Sequence, residues 1–190
     1  MTRKAVLLVD LQTAVFDGKL IPPAYEAQRL LENASGLLNA AREAGMSIVH
    51  VQHCAAAGEA LEEDGPGWPI YAPLTPNMTE PVVRKQSSSA FQDTNLHGTL
   101  QGLGVRSLIV AGIQSEYCVA ATCHAALALG YEVQIAEDGH STWPSEERSA
   151  EEIVAEQNRD LKSCGVAVHT TAELITTILS ESREAVLHRT

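Results

Sequence analysis

The chain has 190 residues, 45% of them apolar, with 24 Asp or Glu against 13 Lys or Arg and a formal net charge of −11. That length suits a single domain, 1–190, with a sizeable core, and a balance so acidic argues against non-specific binding of nucleic acid or docking on an anionic membrane. No run approaches the roughly 20 apolar residues of a membrane span, and the short apolar run after Met1-Thr2-Arg3-Lys4 is no signal peptide, so a cytoplasmic protein is expected.

Ala5–Val9 (AVLLV), stopped by Asp10, reads as a strand buried on both faces. Apolar residues from Ala27 through Leu30, Leu31, Ala34, Leu37, Leu38, Ala41 and Ala44 recur at three and four, the mark of a one-sided helix that Gly45 closes. Ser47–Gln52 is a second strand. Cys54–Thr79, rich in Pro and Gly, is a long loop of the functional or mobile kind. Pro81–Lys85 is strand three, and Asp93 or Thr94 caps a helix running to Leu103, with Gly104 after it. Ser107–Ile113 is strand four, Tyr117–Leu129 a helix apolar nearly all round and closed by Gly130, and Glu132–Ala136 strand five. A helix is expected over Ser145–Cys164, ended by Gly165, then strand six at Val166–His169 and a helix over Thr171–Leu179. Ser180–Thr190 reads as a polar tail that frays or crosses to a partner subunit. Alternating βα units of this kind predict an α/β fold, a mainly parallel six-stranded sheet between two helical layers.

In such sheets ligands bind beyond the carboxyl ends of the strands. Three reactive side chains of complementary type fall at that edge: Asp10 after strand one, Lys85 at the end of strand three, and Cys118 just past strand four. Gly112–Val119 reads as strand, turn and helix, an arrangement similar to a nucleophile elbow but without its GxSxG sequence. A thiol at a helix N-terminus feels the positive end of the dipole, which predicts a pKa lowered toward neutrality, and the backbone N–H groups of Gln114 and Cys118 are placed to hold an oxyanion. Each of the three also has a plain structural reading: a buried apolar-helix cysteine, a turn-capping aspartate, a solvated lysine. Cys54, Cys123 and Cys164 read as inert side chains, and the four cysteines show no CxxC and no disulfide framework.

Taken together, several segments resemble the isochorismatase-like cysteine hydrolases, the superfamily of nicotinamidases and N-carbamoylsarcosine amidase. They are Val6-Leu7-Leu8-Val9-Asp10-Leu11-Gln12, Arg84-Lys85-Gln86-Ser87-Ser88-Ser89-Ala90-Phe91 with Thr94 and Leu96, Ser107–Ile113, Glu116-Tyr117-Cys118-Val119, Ala126, Gly130–Val133 and Asp138. The resemblance covers roughly residues 5–175. It implies strand order 3-2-1-4-5-6, a catalytic triad of Asp10, Lys85 and Cys118, a cis peptide at Ile113–Gln114 and a homo-oligomer, dimer or tetramer.

Nicotinamidase-like members bind a metal through Asp-x-His and a further His after strand two. Here that stretch is His50-Val51-Gln52-His53-Cys54, without an aspartate, and two histidines three apart on a strand face opposite ways. His97, His124, His140, His169 and His188 form no ligand spacing. No metal and no other cofactor are therefore expected, and His53 reads first as a structural residue. Gln12, Phe16, Gln52, Trp68, Phe91 and Tyr117 are the candidate pocket walls for a small-molecule substrate. The presence of Cys118 favours amide or carbamoyl C–N hydrolysis through a thioester; a vinyl-ether hydrolase, or a binding or redox-thiol module on the same fold, are the alternatives.

Overall fold

The computed structural model describes residues 3–187, with side-chain surroundings given through residue 184. Six strands form one parallel sheet in the order β3-β2-β1-β4-β5-β6, where β1 is Arg3–Val9, β2 Ser47–His53, β3 Val82–Lys85, β4 Val105–Ile113, β5 Glu132–Ser141 and β6 Ala167–His169. The period-two alternation of the central strands divides the core. Ala5, Leu7 and Val9 of β1, with Leu108 and Val110 of β4, face α3 (Leu96–Gly102), α4 (Ala120–Ala128) and Leu161 of α5 (Ala150–Ser163). Val6, Leu8, Ile109, Ala111 and Ile113 face α2 (Ala27–Glu43) and α6 (Thr171–Leu187). Each fully buried leucine or isoleucine contributes roughly 1.5–3 kcal/mol. Strands covered on both faces have to be apolar throughout, which is why β1 and β4 read as unbroken runs.

Gly45, Gly104, Gly130 and Gly165 follow α2, α3, α4 and α5 with φ between 62° and 97°, the left-handed conformation that ends helices. Three sequence expectations need correction. The helix expected from Ser145 starts at Ala150, because Ser149 and Glu152 form a reciprocal capping box at its N-terminus. The helix α3 begins after Asn95, which makes no side-chain cap, and Thr94 serves it from one position further out, its Oγ1 accepting the Leu96 N–H at 3.2 Å and donating to Ala90 O at 2.6 Å. The expected tail does not begin at Ser180, since α6 continues to Leu187 and Glu181 ion-pairs with Lys4 at the start of β1; residues 188–190, His188 among them, lie outside the described residues.

The 54–79 segment is tied down. A short helix α1 (Thr13–Phe16) presents its first N–H groups to loop carbonyls, Thr13 to Pro69 O at 2.8 Å and Ala14 to Gly67 O at 3.0 Å. A 3₁₀ turn over Ala72–Leu74 buries Leu74 in the core.

Candidate active site

The strand order reverses between β1 and β4, so a crevice opens at their carboxyl ends. Asp10 follows β1 with φ 55°, a left-handed conformation uncommon outside glycine but tolerated by Asp. Its N–H bonds Val51 O at 3.0 Å and its carbonyl accepts from Gln12 N at 2.9 Å. On the other side of the crevice Gly112 has φ 144°, a conformation that would aim a Cβ at the β1 backbone, 2.1 Å from Val9 O, so only glycine fits there. The Ile113–Gln114 peptide is cis. A single π-turn, Ser115–Val119, then leads into α4 and carries Cys118. Turns of this kind recur at functional sites. Tyr117 and Val119 both donate backbone N–H groups to Gln114 O, at 3.2 and 3.0 Å, and the Cys118 N–H between them is left out of that pairing.

Lys85 ends β3, two strands and roughly 10 Å of sheet away from β1. Its side chain lies back across the end of β2, where His53 is its register partner. The Nζ reaches Asp10 Oδ2 at 2.7 Å, Cys118 Sγ at 3.1 Å, Ser87 O at 3.1 Å and His53 Nδ1 at 3.2 Å. Both Asp10 and Lys85 are buried, whereas Cys118 is half-buried. Asp10 Oδ1 remains a buried acceptor with no hydrogen-bond partner. Burial pushes the Asp10 carboxyl above the usual aspartate range, although Lys85 pulls the other way. Burial, and then the Asp10 charge, push the Cys118 thiol up to about 11 against the pull of Lys85. The direction is opposite to the helix-dipole expectation, because burial and the neighbouring carboxylate act on the thiol more strongly than Lys85 does.

The structure brings the three triad candidates together and sets most of the expected pocket walls to other contacts. Gln12 is wholly buried, with Nε2 donating to His53 O (3.0 Å) and Trp68 O (2.7 Å) and Oε1 accepting from His53 N (2.9 Å). Gln52 donates to the same Trp68 O at 3.1 Å. Both amides are spent on holding the loop. Trp68 is buried with the Arg84 guanidinium 4.7 Å above its ring, a brace rather than a pocket wall. Phe91 turns away to Tyr131 at the start of β5, 5.9 Å between ring centres. Phe16 stacks on Tyr71 at 4.6 Å, and Tyr117 is 56% exposed beside the nucleophile candidate. A cavity of about 230 Å³ next to Lys85 is lined by Cys54, Glu63, Arg84, Gln86, Ser87 and Asp93, none of them in the expected set. Larger cavities of about 330 and 320 Å³ open at the opposite, amino end of the strands. His53, read as structural, touches the lysine. That contact arises only because Lys85 crosses β2, which no local pattern reveals.

His50 and His53 do face opposite ways, one to Glu80 and one to Lys85. Among the described residues no three His, Cys, Asp or Glu side chains converge as a metal site, and no helix is long and apolar enough to cross a membrane.

An α/β sheet with an acid, a lysine and a cysteine meeting at its switch point defines a recognisable class, and the comparisons identify it. The isochorismatase domain model matches residues 4–173, and the chain belongs to the isochorismatase family. A streptothricin hydrolase of Streptomyces noursei is 43% identical over 140 residues, 74% of this chain and 50% of that protein. A ureidoacrylate amidohydrolase of Variovorax paradoxus is 26% identical, covering 70% of this chain and 67% of that one. The crystal structure of an isochorismatase from Pseudomonas putida superposes with a TM-score of 0.84 at 29% identity, covering 90% of this chain and 89% of the other. The chain spans 50% and 55% of the lengths of the two streptothricin hydrolases it matches.

Proposed function

We propose that this protein is a cysteine-dependent hydrolase that cleaves a C–N bond, of amide or carbamoyl type, in a small molecule through a thioester. The observation that carries this reading is the Lys85 Nζ standing 2.7 Å from Asp10 Oδ2 and 3.1 Å from Cys118 Sγ at the switch point. The names of the streptothricin hydrolase and ureidoacrylate amidohydrolase relatives support it.

The Cys118 thiol passes its proton to Asp10, a carboxylate made more basic by burial and left with an unpaired oxygen. Lys85 has three N–H donors for four neighbouring acceptors. A protonated thiol is a weak acceptor, so the third hydrogen rests on His53; a thiolate competes for it, and the ammonium turns toward sulfur as charge forms. The thiolate attacks the substrate carbonyl carbon, and the oxyanion is held by the Cys118 N–H with that of Gln114, each donor worth about 3 kcal/mol. Asp10 returns the proton to the departing nitrogen as the C–N bond breaks. Water then loses a proton to Asp10 and its oxygen attacks the thioester carbon; the carboxylic or carbamic product leaves and sulfur recovers the proton.

The test is a panel of small amides, ureas and carbamoyl compounds, read by ammonia or amine release and by mass spectrometry of Cys118. Turnover with an acyl adduct on Cys118, both lost in Cys118→Ala, is the expected result. Turnover that survives in Cys118→Ala overturns the reading. With an enolpyruvyl ether added to the panel, release of pyruvate without an adduct would select vinyl-ether hydrolysis instead.

A further inference from the structure

The π-turn that carries Cys118 is joined to β5 and α5 by a chain of hydrogen bonds, buried at its Ser115–His140 link and open to solvent at its Asn158 end, that the mechanism above does not use. Ser115 Oγ, wholly buried, lies 2.8 Å from His140 Nδ1. His140 Nε2 lies 3.0 Å from Asn158 Oδ1. Asn158 Nδ2 donates to Glu137 O at 3.0 Å. The direction of every proton follows from the last link. Because the Asn158 NH₂ faces a carbonyl, its Oδ1 must accept, so His140 Nε2 carries a hydrogen. Burial disfavours the imidazolium, which leaves Nδ1 bare. A bare Nδ1 can only accept, so the Ser115 hydroxyl donates to it. A second tie runs alongside: Thr142 Oγ1 donates to Glu116 Oε1 at 2.9 Å. His140, in register with Gly112 of β4, and Thr142 just past the end of β5 thus hold consecutive residues of the turn.

We propose that Ser115, His140 and Asn158 form a positioning relay that fixes the Cys118 turn against Asp10 and Lys85, with His140 Nδ1 as the acceptor on which it depends. The relay rests on Cys118 being the nucleophile. It orients Ser115, whose carbonyl accepts the Ala120 N–H at the other end of the turn, and so fixes the loop of backbone from which the sulfur projects. None of the three residues touches the reacting atoms.

Two replacements of His140 separate positioning from packing. In His140→Asn the amide oxygen takes the place of Nδ1 and keeps the acceptor for Ser115. In His140→Gln the amide reaches toward Asn158 and the acceptor is lost. Both remove the ring, so a purely structural role lowers the melting temperature and the thiol reactivity of both alike. The probe is iodoacetamide, with alkylation of Cys118 followed by peptide mass spectrometry and the exposed Cys164 as internal reference. The relay predicts that His140→Gln and Ser115→Ala slow Cys118 alkylation about tenfold or more, that His140→Asn stays within a few-fold of the parent, and that Cys164 is unchanged in all. Ser115→Ala removes one oxygen and serves if the His140 variants fail to fold. Equal slowing in His140→Asn and His140→Gln, or no slowing in Ser115→Ala, overturns the relay. Lys85→Met in the same assay tests the underlying reading, because Lys85 draws the thiol toward its charged form: if it slows Cys118 while Ser115→Ala does not, only the relay falls; if it leaves Cys118 unslowed, the reading of the site falls and the relay with it.

Discussion

The two ends of β3 each bury a carboxylate with cationic and imidazole partners, and they are built to opposite specifications. Just before the strand, Glu80 Oε1 accepts from Arg42 Nε and Asn77 Nδ2, both at 2.7 Å, and Oε2 accepts from Arg42 Nη2 at 2.8 Å, His50 Nε2 at 3.0 Å and Asn77 N at 3.0 Å. Every lone pair is used, and the Glu80 carboxyl is held down to about 2, chiefly by the Arg42 hydrogen bonds. At the far end Asp10 has one oxygen on Lys85 and the other on nothing, while the lysine has more acceptors than hydrogens. A saturated cluster fastens α2 and the loop return to the sheet edge. An unsaturated one keeps a proton site vacant. Buried charge alone is not a mark of chemistry, since Glu80 is as enclosed by partners as a structural carboxylate can be; the proposed mechanism draws instead on the unpaired oxygen of Asp10.

The largest effect that breaks this comparison is Asp10→Asn. It keeps the shape and removes the proton acceptor, and kcat on any compound turned over is expected to fall about 10²–10⁴-fold while the melting curve stays cooperative. Next is Glu80→Ala, which strips five hydrogen bonds from Arg42, His50 and Asn77 and should cost about 2–4 kcal/mol of unfolding free energy in a denaturant titration, with kcat per folded molecule unchanged. Acid separates the two ends in one experiment. The Asp10 pKa is raised, so its carboxylate is lost and turnover falls at a pH above the ordinary aspartate value of 3.8. The Glu80 pKa is depressed, so its contribution to stability is complete above about 4.5 and disappears only as pH falls toward about 2. Activity should therefore vanish before circular dichroism reports unfolding, and coincidence of the two transitions would contradict the assignment. The smallest effect is expected of His53→Ala, a change of a few-fold in kcat, because the ammonium retains its other three acceptors.

Most of the fold was open to reading because its signals are local. The apolar runs of β1 and β4 and the glycines at 45, 104, 130 and 165 each depend on a handful of neighbours. The capping box Ser149-x-x-Glu152 is equally local and marks the true start of α5, past the polar stretch 145–148 that the helix expectation includes. The three reactive side chains were legible as strand ends, and their distances follow once the sheet is assembled. The roles of Gln12, Gln52 and Trp68 were not, since a buried amide bonded to a loop carbonyl looks the same in sequence as one lining a pocket. Cys118 misled for a related reason: the dipole argument is a property of the turn alone, whereas the thiol answers to burial and to a carboxylate delivered by another strand.

The close approach of main chain at Gly112 carries an engineering consequence. Since a methyl group there would collide with Val9 O, position 112 admits no side chain without moving the end of β1 from which Asp10 departs. Libraries seeking altered selectivity should spare position 112 and diversify the rim around Glu63, Ser87 and Asp93, where sequence can drift without disturbing the machinery beneath.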